Sequence, residues 1–211
     1  MIQKASNIPA DVLILDLEDS VPIAEKANAR EIVANSLTNT ALRGQRVYVR
    51  IDSAATGLQE DDLDIVIRMG LDGISVGKVG SAKDIHDLED LVGKLEADRG
   101  LTLGHVKIIP WIETARAILN AYEICSSSRR VVGVAFGADD FTLDMGIERT
   151  KEAAEQFYPR AVIAVAAKAA EVAALDTPYI DFRDEEGLIR DSRLSKGLGF
   201  RGRFAIHPSQ V

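Results

Sequence analysis

Cysteine, histidine and tryptophan are scarce: the 211 residues hold one, three and one of them. The lone Cys125 cannot close an internal disulfide and lies in an apolar helical stretch. It reads as a buried, inert thiol in a reducing cytoplasm or organelle matrix, with the cytoplasm the expected location. No clustered His or Cys set exists to build a zinc site, and His86 and His105 read as surface residues. No apolar run approaches the ~18 to 20 residues of a membrane span. Nor does the amino terminus show the charged, apolar and small-residue succession of a secretory signal, so no membrane association is expected. Basic charge is in deficit, 25 Lys and Arg against 33 Asp and Glu, for a net charge of −8 and a pI near 5.0. That argues against a nucleic-acid surface, and it means an anionic substrate must be met by local Arg, Lys, backbone N–H groups or metal. Gly-x-Gly-x-x-Gly is missing after the first apolar run, which removes the dinucleotide-binding route. Linkers rich in Pro, Gly or Ser are missing too, so residues 1–211 read as a single domain.

What is present is alternation. Apolar or β-branched runs at 12–17, 46–51, 73–79, 107–112, 131–136, 176–180 and 203–206 predict strands. Several are apolar on consecutive residues, as in parallel strands buried on both faces. Between them lie helical patterns around 24–34, 114–125 and 161–174. Another opens at Ser81, with Asp84 three residues on and Ile85, Leu88, Leu91, Val92 and Leu95 at helical spacing. Repeated strand–helix alternation implies a parallel sheet with right-handed crossovers, either doubly wound or a barrel. The unusual residues Asp16, Glu18, Asp19, Arg50, Lys78, Glu113, Asp139 and Asp140 sit at the carboxyl ends of several different strands, which favours the (β/α)₈ barrel. Seven strands are predicted rather than eight. The barrel is therefore expected to be unclosed, with no helix covering its last strand, leaving strand edges exposed and the isolated chain marginally stable.

The run Leu15-Asp16-Leu17-Glu18-Asp19-Ser20 crowds three carboxylates at one strand end. They cannot all be desolvated as bare anions and call for water, a cation or a metal. The alternative is a solvated loop in which Asp19 or Ser20 caps the helix at 24–34. Glu113 follows the buried-looking Pro110-Trp111-Ile112, and a Glu is seldom buried without a partner, so a cation is expected beside it. Phe136-Gly137-Ala138-Asp139-Asp140 adds two carboxylates after a glycine that permits a tight strand exit. Hard oxygen ligands from two carboxylates, completed by water and substrate, match Mg²⁺. Arg50 can clamp a substrate carboxylate or pair internally with Glu18 or Asp19, and the two are compatible. Lys78 reads as a Schiff-base lysine or as a cation balancing nearby carboxylates, and His207 as catalytic or as a structural hydrogen-bonding residue.

Assembled in order, these pieces resemble the citrate lyase β-subunit-like branch of the HpcH/HpaI aldolase/citrate lyase superfamily. They are Asp11-Val12-Leu13-Ile14-Leu15-Asp16-Leu17-Glu18-Asp19-Ser20-Val21 with Lys26 and Ala29-Arg30, then Val49-Arg50-Ile51, Lys78-Val79, Ile112-Glu113-Thr114, Phe136-Gly137-Ala138-Asp139-Asp140 and 199–210 with its Ile206-His207-Pro208-Ser209-Gln210. The resemblance implies a (β/α)₈ barrel, of which this chain is expected to lack the first strand and the carboxyl-terminal helix and lid, and Mg²⁺-dependent cleavage or formation of a carbon–carbon bond. It implies 3-hydroxyacyl-CoA thioesters of the malyl-, citramalyl- or citryl-CoA type as substrates, an α-oxo acid and an acyl-CoA as products, and a homo-oligomer, trimer or hexamer. Carried over by motif, Glu113 and Asp140 are the metal ligands, Glu113 also faces the substrate, Arg50 binds the substrate's carboxylate or carbonyl oxygen, and Glu18 and Asp19 support catalysis. The related aldolases of free hydroxy-oxo acids carry a histidine base where this chain has Asp19, which favours the thioester branch. Two other readings stay open: an aldolase of free hydroxy-oxo acids, and a non-catalytic or partner-dependent subunit.

Overall fold

Apolar runs and helical patterns take up their expected alternation in a computed structural model that describes residues 5–38 and 44–211. The chain divides into two compact units, Met1–Gly77 with His86–Ile109, and Lys78–Ile85 with Pro110–Val211.

In the first unit β1 (Val12–Asp16), β2 (Arg46–Ile51), β3 (Gly73–Val76) and the opening half of β4 (Lys107–Ile112) lie side by side in chain order. The pairings of β1 with β2 and β2 with β3 are parallel, and Asp16 is the register partner of Arg50 at the strand ends. Val49, Ile51 and Ile74 are completely buried, the burial on both faces that their consecutive apolar residues predict. Gly73 is required by a close approach, since a Cβ there would lie 2.2 Å from the Tyr48 ring. The helices are α1 (Lys26–Leu37), α2 (Gln59–Val66) and the bulk of α3 (Ala82–Asp98), whose Ile85, Leu88 and Val92 form the buried stripe. Glu96, fully buried on α3, accepts the N–H groups of Gly104 and Val106 and so aims the chain into β4.

In the second unit the closing half of β4 leads to α4 (Ala115–Leu119) and α5 (Ala121–Ser126). Then come β5 (Gly133–Phe136), α6 (Ala138–Met145), α7 (Phe157–Ala169), β6 (Ala173–Asp176), α8 (Glu185–Leu198) and β7 (Gly202–Arg203). Strand order is again sequential, and the pairs β4/β5, β5/β6 and β6/β7 are parallel. Arg160 of α7, Asp176 of β6, Asp191 of α8 and Arg203 of β7 form a charge-balanced cluster, with Arg160 Nε 3.0 Å from Asp176 and its two terminal nitrogens gripping Asp191 at 2.8 and 2.9 Å. No helix among the described residues is long and apolar enough to cross a membrane.

Several boundaries differ from those predicted. The strand expected at 176–180 lies earlier, at Ala173–Asp176, and the helix expected at 161–174 is Phe157–Ala169. An alanine-rich run carries no periodic signal for where a helix stops. Here the stop is Glu171, held at a left-handed φ of 60°, with Val172 N–H reaching back to Ala167 O. The strand at 73–79 ends at Val76, because Lys78 has φ 57°. The helix at 114–125 is interrupted at Asn120, though Thr114 caps it, its hydroxyl accepting the Ala117 N–H. Strands 131–136, 203–206 and 12–17 shorten to Gly133–Phe136, Gly202–Arg203 and Val12–Asp16. Neither Asp19 nor Ser20 caps a helix: α1 starts at Lys26 after a 3₁₀ turn at Ile23–Glu25.

Candidate active site

Each unit holds one cluster at its strand ends. In the first, the parallel register that pairs Asp16 with Arg50 brings carboxylate and guanidinium together. Arg50 Nε is 2.7 Å from Asp16 Oδ1, and Nη2 bonds the other oxygen at 2.5 Å, a two-pronged pair. Its Nη1 lies 2.9 Å from Glu18 and 3.5 Å from the exposed Asp19. The internal-pairing reading of Arg50 is therefore realised, with Asp16 as the main partner. Asp16 also organises the loop, accepting the Glu18 N–H at 3.0 Å and both the N–H and hydroxyl of Ser20. Beneath it the buried Lys26 ammonium donates to the carbonyls of Leu17 and Glu18 and to Asp52 at 2.7 Å.

The electrostatics differ from one carboxylate to the next. Burial opposes the charge of Asp16, but the bonds from Arg50, Ser20 and the Glu18 N–H outweigh it and hold its carboxyl below the usual range. Glu18 is only 6% exposed, and there burial wins over the Arg50 pair, with Asp19 and Asp16 adding repulsion, so that its carboxyl is pushed up to about 7. Near neutral pH this cluster carries a carboxyl poised between its two forms.

In the second unit Glu113 leaves β4 almost fully buried, at 4% exposure. A main-chain donor meets it, the Lys78 N–H bonding Glu113 Oε1 at 2.5 Å. The Lys78 side chain itself is exposed. Gly137, at the exit of β5, faces the other oxygen: a Cβ there would stand 2.5 Å from Oε2. Glycine is thus what leaves room for that carboxylate. Asp139 and Asp140 occupy the first turn of α6, where the helix dipole favours anions. Asp139 is committed to Arg149 at 2.6 Å, and Arg149 also donates to the Pro178 carbonyl. Asp140, beside it, is half-buried.

Among the described residues no group of three or more His, Cys, Asp or Glu is gathered to hold a metal. A site of one or two carboxylates completed by water and substrate is the Mg²⁺ pattern, and the hard oxygens of Glu113 and Asp140 fit that ion in kind. The glycine cradle around Glu113 is consistent with it. His207 takes the structural role: Nδ1 accepts the Ser209 N–H, while Gln210 spans from the His207 N–H to the Tyr179 carbonyl. His86 and His105 lie exposed, as expected. Cys125 is buried, its thiol pushed up to about 12 by desolvation, and is inert as expected. Sequence reasoning left without a role the Asp16 anchor, the Lys26–Asp52 pair, Arg149 and the main chain of Lys78. A main-chain donor leaves no trace in side-chain chemistry, and the partners of Lys26 and Arg149 are distant in sequence.

Comparison with known proteins identifies the family. Residues 1–208 match the HpcH/HpaI aldolase/citrate lyase family. The chain is 36% identical over its whole length to citrate lyase subunit beta of Leuconostoc mesenteroides subsp. cremoris, spanning 70% of that protein. It is 34% identical over its whole length to the mitochondrial citramalyl-CoA lyase of Homo sapiens, spanning 64% of it. Among solved structures, the citrate lyase beta subunit of M. tuberculosis complexed with oxaloacetate and magnesium superposes with a TM-score of 0.79 at 33% identity, covering 99% of this chain and 85% of that one. The chain therefore belongs to the HpcH/HpaI aldolase/citrate lyase family, in its citrate lyase β-like branch, and is a carbon–carbon lyase.

Proposed function

We propose that the chain is a Mg²⁺-dependent lyase that cleaves, or in reverse forms, a 3-hydroxyacyl-CoA thioester of the malyl-, citramalyl- or citryl-CoA type, releasing an α-oxo acid and an acyl-CoA. We read residues 1–211 as one (β/α)₈-barrel domain, active in the cytoplasm as a homo-oligomer of three or six subunits. The observation that supports the reading is the buried Glu113 carboxylate at the end of β4, one oxygen bonded by the Lys78 main-chain N–H and the other given room by Gly137. Glu113 and Asp140 would hold Mg²⁺, which when bound supplies Lewis-acid charge at an oxygen of the oxo acid.

The remaining roles belong to the chain's own residues. Arg50 binds and orients the oxo-acid carboxylate through Nη1, its one terminal nitrogen outside the Asp16 grip. Asp19, exposed and 3.5 Å away, is the contact a substrate can displace. Asp16 fixes the guanidinium plane, so little ordering is left to occur on binding. Cleavage takes the 3-hydroxyl proton, breaks the bond between the second and third carbons, and returns a proton to the second carbon of the departing acyl-CoA. Glu18, with its carboxyl near 7, has the property a proton-transfer group needs at neutral pH, and Asp19 supports it.

Incubating the pure protein with Mg²⁺ and citramalyl- or malyl-CoA should release acyl-CoA. Glu113→Gln and Asp140→Asn should each abolish Mg²⁺ binding in a calorimetric titration, and unchanged affinity in both would overturn the metal assignment. A second reading, a subunit that works only within a larger lyase, is favoured by the relatives named as citrate lyase subunits. It predicts Mg²⁺ binding without cleavage of the free thioester.

A further inference from the structure

Among the described residues only Lys78, Ala153 and Glu171 are non-glycine residues with positive φ. Glu171 ends helix α7, and Ala153 precedes the 3₁₀ turn Ala154–Gln156. Lys78 bounds no helix; Gly77 alone separates it from β3. A left-handed lysine is sterically unfavourable and persists only where its surroundings over-determine it. Here the residues that follow it are pinned. Val79 is buried next to it, and the Gly80 carbonyl accepts the Asn120 amide at 2.8 Å. The N–H groups of Gly80 and Ser81 both go to Asp84 Oδ2, at 2.8 and 2.9 Å. Asn120 is also the residue at which the helix expected over 114–125 divides, so the interruption itself places the clamp. The turn's output is one main-chain donor, the Lys78 N–H on Glu113, while the ammonium stays exposed.

We propose that Lys78 is a positioning residue acting through its main chain: its left-handed turn, clamped by Asn120 and Asp84, orients the Glu113 carboxylate toward the metal, and its ammonium is dispensable for this. The inference rests on the reading of Glu113 as a metal ligand. Glycine enters the left-handed region freely and keeps the N–H, whereas valine keeps the N–H but is strained there; both lose the ammonium.

Calorimetric Mg²⁺ titration of the purified chain, with circular dichroism to establish folding, separates the cases. Lys78→Gly should bind Mg²⁺ within about threefold of the parent, and Lys78→Val about 10- to 100-fold more weakly, the range seen when an outer partner of a metal ligand is lost. Asn120→Asp leaves position 78 untouched and sets a carboxylate against the Gly80 carbonyl, so it should weaken binding in the same direction even if the valine variant fails to fold. Equal weakening by glycine and valine would show that the ammonium matters. Parent-like affinity in Lys78→Val, or in Asn120→Asp, would overturn the backbone role. Glu113→Gln completes the set. If it loses Mg²⁺ while Lys78→Val keeps it, only the positioning role falls; if it binds Mg²⁺ normally, the metal reading fails and takes the positioning role with it.

Discussion

Glu18 shows how a single residue ties stability to pH. Its carboxyl stands at about 7 in the folded chain against an ordinary 4.5, chiefly because it is buried. A raised folded value means that the protonated form is the better folded one. Its stabilisation is complete below about 4.5 and is lost as pH rises through about 7, a difference of about 3 kcal/mol. Glu18→Gln keeps the shape and removes the ionisation. Urea denaturation should find the variant more stable than the parent at pH 8, by up to about 3 kcal/mol, with the gap closing toward pH 4.5. A gap of equal size at both pH values would refute this account. The crowding of Glu18, Asp19 and Arg50 was legible from their places at strand ends. Which carboxylate grips Arg50 was not, because that depends on a register pairing residues 34 positions apart.

At the element scale, the boundaries carry the lesson. Helix α7 and strand β6 are separated by Glu171 in a left-handed conformation, a position where glycine is the usual signal. With Glu there, between Ala170 and Val172 in an alanine-rich run, nothing local marks the end, and the sequence pattern puts the strand later than it lies. Glu171→Gly should relieve the strain and stabilise the fold by about 1 kcal/mol, read as a higher urea midpoint with an unchanged slope. A lower midpoint would show that the Glu side chain contributes more than its backbone costs. Helix α3 was legible throughout, because Ile85, Leu88 and Val92 repeat at helical spacing and Asp84 reaches back to the Ser81 N–H as the capping pattern predicts. The break at Asn120 was not, since its amide partner, Gly80, lies 40 residues away.

Among the described residues, buried charges are gathered in ion-paired clusters, inside a molecule of net charge −8. One of them, Arg160–Asp176–Asp191–Arg203, ties β6 and β7 to α7 and α8. Asp191→Ala would leave the Arg160 guanidinium, 1% exposed, without two of its three bonds. The cost should be about 3 to 5 kcal/mol, seen as a large fall in the thermal midpoint; a fall of a few tenths would mean that water or a rearranged Arg203 replaces the carboxylate. By itself the sequence determined the strand–helix alternation, the parallel sheet, the carboxylate-rich strand ends and the family. Each of these is written in local periodicity, in contiguous apolar runs and in motifs read along the chain. Only the tertiary structure decided that Asp16 anchors Arg50, that Asp139 is spent on Arg149, and that a lysine's main chain, not its charge, meets Glu113. Those outcomes depend on strand register and on turns pinned by distant side chains, and hydrogen bonds between residues dozens of positions apart leave no periodic trace in sequence.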